Sequence, residues 1–300
     1  YEYSFQLALE SPSFIAPDEP HGFGMVAVDL GWRRMPDGHV RVGYWLDEIG
    51  RHSEIVVPQR TVTGMPKVMD LKSIRDKSFD EIKAVLLAYI SALPPDCWIR
   101  ERTTALDKWR SQGRMQALVD RWRDNRIAGD DAVYDAVMAW AKQDRHLLSW
   151  EDNERKNSIA RRTESYRVFA SRLAQKYAVI VLEEFDLREL AKRLPPEDGV
   201  PSDGRDQRRT ARLAAPGELR SCIIEAAQKH GVRVVEVPAE YTTQYCALCG
   251  SQEPWDAAPS AMHVCAQCHV DWDQDLNACR NMLRLAGEPR GSDTSVEAVT

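Results

Sequence analysis

The chain has 300 residues, 43% hydrophobic, with 9 Trp and 9 Tyr, enough for a packed core in one large domain or two smaller ones. No stretch reaches about 18 consecutive apolar residues, which excludes a transmembrane helix, and the net charge of −6 argues against a general nucleic-acid binder. Four of the 7 Cys fall in two CxxC pairs, which suits zinc in a reducing cytosol better than a disulfide framework. A cytoplasmic protein with no membrane partner is therefore expected. The first residue is Tyr rather than Met and no leader follows, so the chain reads as part of something longer.

In chain order, residues 1–9 alternate loosely and predict a strand, followed by a Pro-containing linker to 21. The apolar run from Gly24 to Leu30 carries Asp29 near its end and reads as a buried central strand. A turn at Met35-Pro36-Asp37-Gly38 and alternation from His39 to Leu46 predict a hairpin, and 53–58 a third strand of a meander. Helical periodicity covers 78–93 and stops at Pro94-Pro95. Residues 102–177 read as almost wholly helical, with breaks near 127–129 and around Ser149. Ala178 to Leu182 is a second buried strand that ends at Glu183-Glu184, and 195–215 reads as a loop rich in Pro, Gly, Asp and Arg. Pro216 suits the first turn of a helix to His230 with Gly231 as its stop, then come a strand over 232–237 and a last helix over 273–285. The tail is polar and reads as disordered.

Cys246-Ala-Leu-Cys249 and Cys265-Ala-Gln-Cys268 have the spacing of a four-thiolate zinc site, each pair on a tight knuckle. With four cysteines present, neither His263 nor His269 is needed as a ligand. Two segments are locally basic despite the acidic average. Residues 154–176 include Arg161 and Arg162, and 205–212 hold Arg205, Arg208, Arg209 and Arg212. They suit phosphate contact, with solvated faces as the plain alternative.

Three acids stand at the edges of apolar strands or at a helix start: Asp29, Glu183 and Asp275. An acid at the end of a buried strand costs free energy unless a cation compensates it. A few carboxylates suffice for Mg²⁺, and two such ions about 3.5–4 Å apart activate water and stabilise the leaving oxygen in phosphodiester hydrolysis. Singly each acid has an ordinary explanation: a turn at Asp29, a solvated strand end at Glu183, and helix-dipole compensation at Asp275.

The ordered set Val-Ala-Val-Asp29-Leu-Gly31, Ile-Val-Leu-Glu183-Glu-Phe, Tyr-Cys246-Ala-Leu-Cys249-Gly250, Cys265-Ala-Gln-Cys268 and Asp275-Leu-Asn277-Ala278 resembles the split RuvC nuclease of type V CRISPR effectors and their transposon-encoded TnpB relatives. The resemblance covers roughly 22–287. It implies an α/β, ribonuclease-H-like (RuvC) mixed sheet with a helical insertion and a small zinc ribbon. It divides the chain into the end of a preceding domain and linker (1–21), a first RuvC segment (22–100), a helical region (101–177), a second RuvC segment (178–238), a zinc-ribbon or target-strand-loading insertion (239–270), a third RuvC segment (271–287) and a tail (288–300). It implies Asp29, Glu183 and Asp275 as catalytic acids on two Mg²⁺, and one structural Zn²⁺ on Cys246, Cys249, Cys265 and Cys268. Weaker nucleic-acid contacts are expected at Arg161, Arg162, Arg205, Arg208 and Arg209. The implied activity is Mg-dependent, RNA-guided DNA cleavage in a prokaryotic cytoplasm, with guide RNA, target DNA and further N-terminal effector domains as partners. The alternatives are an RNA-guided DNA-binding effector that silences by occupancy, and a TnpB-type transposon-associated nuclease.

Overall fold

The computed structural model describes residues 22–184, 202–239, 242–252 and 261–287; for 202–206 it describes the backbone only. The expected strand over 1–9, the linker and the tail lie outside the described residues. The chain forms two compact units, one of residues up to Gln59 and from Arg161 onward, the other of Arg60–Ala160.

The first unit is built on a five-stranded sheet. β1 (Met25–Arg34), β2 (Val40–Asp47) and β3 (His52–Val56) form the expected antiparallel meander. β4 (Val179–Glu183) pairs parallel with β1, and β5 (Arg233–Val237) parallel with β4, giving the order β3-β2-β1-β4-β5. That mixed order is the ribonuclease-H-like arrangement. A last helix, Gln274–Gly287, packs across β1, β2, β4 and β5 and closes a core of Ala27, Tyr44, Leu46, Val181, Val237, Cys279 and Met282. The segment 202–214, expected as loop, is instead helical (Ser202–Ala214), followed by a helix at Pro216–His230 that ends on Gly231 with φ 65°.

The second unit is helical. α1 runs Gln59–Ser91, far beyond the expected 78–93, with Pro66 inside it. Its buried face includes Gly64, Val68, Leu71, Arg75, Phe79, Ile82, Leu86 and Ile90, a run of three- and four-residue steps. Gly64 and Arg75 hide that stripe from an apolar count. A Cβ at Gly64 would run into Ser158 Oγ, so any larger residue there needs the serine to shift. After α2 (Trp98–Arg102), a 3₁₀ turn (Leu106–Lys108) and α3 (Gln112–Asp124), α4 runs Asp131–Lys176 without the expected interruption at Ser149. There the polar residues are buried for a reason: Arg75 donates to Asp144 at 2.9 Å and to Glu151 at 2.8 Å. Trp122, Trp140, Phe79 and Met115 fill this unit's core. The expected break at 127–129 is present, with Gly129 at φ 78° and Asp130 accepting from Ile127 N at 2.8 Å. Below, the helices of the first unit are α5 (Ser202–Ala214), α6 (Pro216–His230) and α7 (Gln274–Gly287). No described helix is long and apolar enough to cross a membrane.

Candidate acidic site and cysteine centre

The parallel register of β1 and β4 pairs Val28 with Leu182. The next residue on each strand is an acid, so Asp29, midway along β1, stands beside Glu183, the last residue of β4. Asp275 enters from the first turn of α7, where the helix dipole favours a negative charge. Burial pushes the Asp29 carboxyl well above the usual range, and the charges of Asp275, Glu183 and Asp273 push it further. The fold therefore gathers the three expected acids into one electrostatic cluster. The backbone of β2 closes over this point: a Cβ at Gly43 would lie 2.5 Å from the Asp29 carbonyl oxygen.

A fourth residue, absent from the sequence reading, occupies the same cluster. Arg41 on β2 is 3% exposed. Its Nη1 donates to Asp275 Oδ2 at 2.8 Å and Asp273 Oδ2 at 2.9 Å, and its Nη2 pairs with Glu54. Burial works against its charge, but Asp275 and Asp273 outweigh it and hold the guanidinium ionised. Asp275 feels the reverse balance: burial raises it, and Arg41 only partly offsets that. Asp273 also caps α7, its Oδ1 accepting from Asp275 N at 3.0 Å. His39 extends the network by pairing with Glu54 at 2.8 Å and with Asp37. An arginine between two valines on a buried strand is the available signal, because a buried charge demands partners.

This arrangement bears on a two-ion centre. Among the described residues, the cysteine quartet alone brings three or more ligand side chains within 4.8 Å of one another. Asp29, Glu183 and Asp275 are not all within that distance of one another, and Asp275 is paired with Arg41. Asp29 and Glu183 are carboxylates that would suit a cation, while Asp275 shares its charge with Arg41.

The cysteine quartet is assembled from two matched knuckles. Gly250 N donates to Cys246 O at 2.8 Å and His269 N to Cys265 O at 2.9 Å, each donor residue having left-handed φ, 75° and 56°. Across the knuckles the Cys246–Cys268 and Cys249–Cys265 sulfurs stand 3.7 and 3.6 Å apart. A tetrahedral ion with ~2.3 Å metal–sulfur bonds needs sulfurs roughly 3.8 Å apart, so the quartet can hold one metal ion. A short hairpin, β6 (Met262–Val264) with β7 (Asp271–Asp273), carries the second knuckle, and Trp272 packs on the cysteines.

The expected arginine contacts separate. Arg161 and Arg209 are exposed and Arg208 is half-buried. Arg162 is not at the surface: it is 8% exposed, donates to Glu218 Oε2 at 3.0 Å, and caps α5 by donating to the Arg212 and Leu213 carbonyls at 3.0 Å each. The side chain of Arg205 lies outside the described residues. Positions 205, 208, 209 and 212 follow helical spacing and share one face of α5, a pattern legible in the sequence but masked there by the loop-like composition around it.

The family model "Cas12f1-like, TNB domain" matches residues 217–282, which spans α6, β5, the cysteine centre and the start of α7. A CRISPR-associated DNA-binding protein Cas12m of Thermanaerosceptrum fracticalcis is 40% identical over 263 residues, 88% of this chain and 44% of the relative. The chain belongs with the type V CRISPR effectors. A Cas12m of Allomeiothermus silvanus is 39% identical over 272 residues, 90% of this type V chain and 50% of the relative. The chain thus spans about half the length of the curated relatives it matches. A shorter similarity, 31% over 65 residues, links it to the type V endodeoxyribonuclease Cas12f1 of Sulfoacidibacillus thermotolerans. Among solved structures, the mini-RNA-guided endonuclease CRISPR-Cas_phi3 overlaps 90% of this chain and 46% of its own, at 15% identity and a TM-score of 0.44.

Proposed function

We propose that this chain is the C-terminal lobe of an RNA-guided effector that binds target DNA and holds it without cutting. The observation that carries this reading is Arg41 paired with Asp275, at the place where a second hydrolytic metal would need that carboxylate. Relatives matching most of the chain are named DNA-binding proteins, in agreement with it. In this reading Asp29 and Glu183 hold one Mg²⁺. When bound, the ion supplies charge neutralisation at the buried carboxylates and a contact for a phosphate oxygen. Asp29 provides the buried charge, Glu183 the second carboxylate, and Arg41 a fixed cation that neutralises Asp275. One Zn²⁺ on Cys246, Cys249, Cys265 and Cys268 orders the ribbon as a structural ion. Exposed Arg161 and Arg209 contact nucleic acid. Guide RNA, target DNA and N-terminal effector domains are the partners, in a bacterial cytoplasm.

A second reading is Mg-dependent cleavage by a RuvC centre in which Asp29, Glu183 and Asp275 hold two ions. The retention of all three acids and the 65-residue similarity to an endodeoxyribonuclease favour it. The two are separated by incubating the guide-loaded full-length protein with matching duplex DNA and Mg²⁺. Stable binding with both strands intact supports occupancy. A cut that Asp29→Ala abolishes while binding persists overturns it.

A further inference from the structure

We infer that Thr242 is a positioning residue for Glu183, and that the cysteine centre sets the aim of that carboxylate through two buried asparagines of α7. The inference rests on the reading that Glu183 holds a cation, and it adds how that side chain is kept in place. Thr242 is fully buried, and its hydroxyl lies against Glu183 Oε1. The hydroxyl also sits 2.9 Å from the Ala239 carbonyl, but it has one hydrogen, and an ionised carboxylate is the stronger acceptor. A glutamate at a strand end has three rotatable bonds. Fixing one oxygen restricts the rotamers that a cation would otherwise have to select.

Thr242 is itself fixed from α7. Asn281 Nδ2 donates to the Thr242 carbonyl at 2.9 Å and to the Tyr245 carbonyl at 2.7 Å. Asn277 Nδ2 donates to the same Tyr245 carbonyl at 2.7 Å, while its Oδ1 accepts from Ala247 N at 2.8 Å. Cys246, the first cysteine of the quartet, lies between those two clamped residues. Both asparagines are buried, and Asn281 Oδ1 has no partner among the described residues. A buried amide with an unmet acceptor is costly, so the orientation of Asn281 is dictated by the two carbonyls it serves. Asp275 stands in the first turn of α7. One helix thus carries one acid directly, reaches the second through Asn281 and Thr242, and grips the first knuckle through Asn277. Losing the metal from the cysteines releases Cys246, then 245–247, and with them the anchor of Thr242.

The test measures Mn²⁺ binding to the purified protein by electron paramagnetic resonance, with zinc content and thermal melting recorded in parallel, for wild type, Thr242→Val, Thr242→Ser and Glu183→Gln. Expected is about a tenfold loss of Mn²⁺ affinity in Thr242→Val with one zinc retained, the size typical of a lost partner behind a metal ligand, and recovery in Thr242→Ser. Wild type stripped of zinc should show the same loss, restored by adding zinc back. Should Thr242→Val fail to fold, the stripping arm decides, and unchanged Mn²⁺ affinity after stripping overturns the inference. Thr242→Val binding as tightly as wild type while Glu183→Gln loses binding also overturns it, and leaves the cation reading intact. Unchanged binding in Glu183→Gln removes that reading and the inference with it.

Discussion

Arg41 Nη1 meets Asp275 Oδ2 at 2.8 Å, tying the start of β2 to the first turn of α7. The pair is nearly dry on the arginine side, and the same nitrogen also serves Asp273. A single guanidinium therefore neutralises Asp275 and Asp273 together.

Removing that charge should be expensive. Arg41→Met leaves Asp273, Asp275 and Glu54 without their counter-ion, and breaking a buried pair in this way costs about 3–5 kcal/mol. With Arg41 gone, the folded-state pKa of Asp275, already raised by burial, rises further above its unfolded value. The deficit is then present at neutral pH and disappears as pH falls below about 4, where the acids are protonated in both states. Urea melts at pH 7 and pH 4 check this. Millimolar Mg²⁺ should restore part of the loss at pH 7, since a metal can then take the guanidinium's place.

Among the described residues, Asp29 is a buried acid with no cation paired to it. Its folded pKa is raised by burial and by Asp275. Ionising it, or keeping it protonated above its unfolded pKa, costs stability across the range above about pH 4. Asp29→Asn should therefore raise the melting temperature by a few degrees at pH 7 in chelator, and have no such effect below pH 4. Adding Mg²⁺ should stabilise wild type and leave Asp29→Asn unmoved. Differential scanning calorimetry reads all three.

Neighbouring arginines should divide cleanly between binding and folding. Arg162→Ala removes the caps on the Arg212 and Leu213 carbonyls and strands Glu218. A loss of about 2–4 kcal/mol is expected, from lost charge-assisted hydrogen bonds in a part-buried site. Arg161→Ala, at an exposed position, should melt within about 0.5 kcal/mol of wild type and lower DNA affinity modestly, with a shallower salt dependence. Chemical denaturation and mobility-shift titrations at two salt concentrations separate the two.

In the helical unit, Asp130 is the acid to titrate. Hydrogen bonds from Arg126, Ile127 N and Trp122 hold it down at about 2 against a usual 3.8. A depressed carboxylate contributes stability above its unfolded pKa and loses it as pH falls through its folded one. The unit should thus lose about 2 kcal/mol between roughly pH 4 and pH 2, and Asp130→Asn should lack that transition. Tryptophan fluorescence reports it, because Trp122 Nε1 donates to Asp130 at 2.6 Å.

The legible parts of the sequence share a property: their determinants are local. Apolar runs ending in an acid place β1 and β4, and the knuckle spacing brings the four cysteines together. Where buried positions are polar, hydrophobicity misleads. Gly64 and Arg75 sit on the core face of α1, and Asp144 and Glu151 on that of α4. The apolar stripe breaks where a buried ion pair replaces it, so hydropathy makes α1 look short and α4 look interrupted. The arginines of α5 look like loop because Pro, Gly and Asp precede them, although their spacing is helical.

Strand-end carboxylates and paired thiols are patterns of a few adjacent residues, and for that reason the chain's own letters name the acids and the cysteines that matter. What surrounds them depends on how distant elements pack. Arg41 and Asp275 lie 234 positions apart in the chain and meet because β2 and α7 pack on one sheet. Thr242 meets Glu183 because α7 clamps its carbonyl. Those contacts are made across elements, by side chains whose partners no local spacing names, and they give the cluster of acids its own fixed cation.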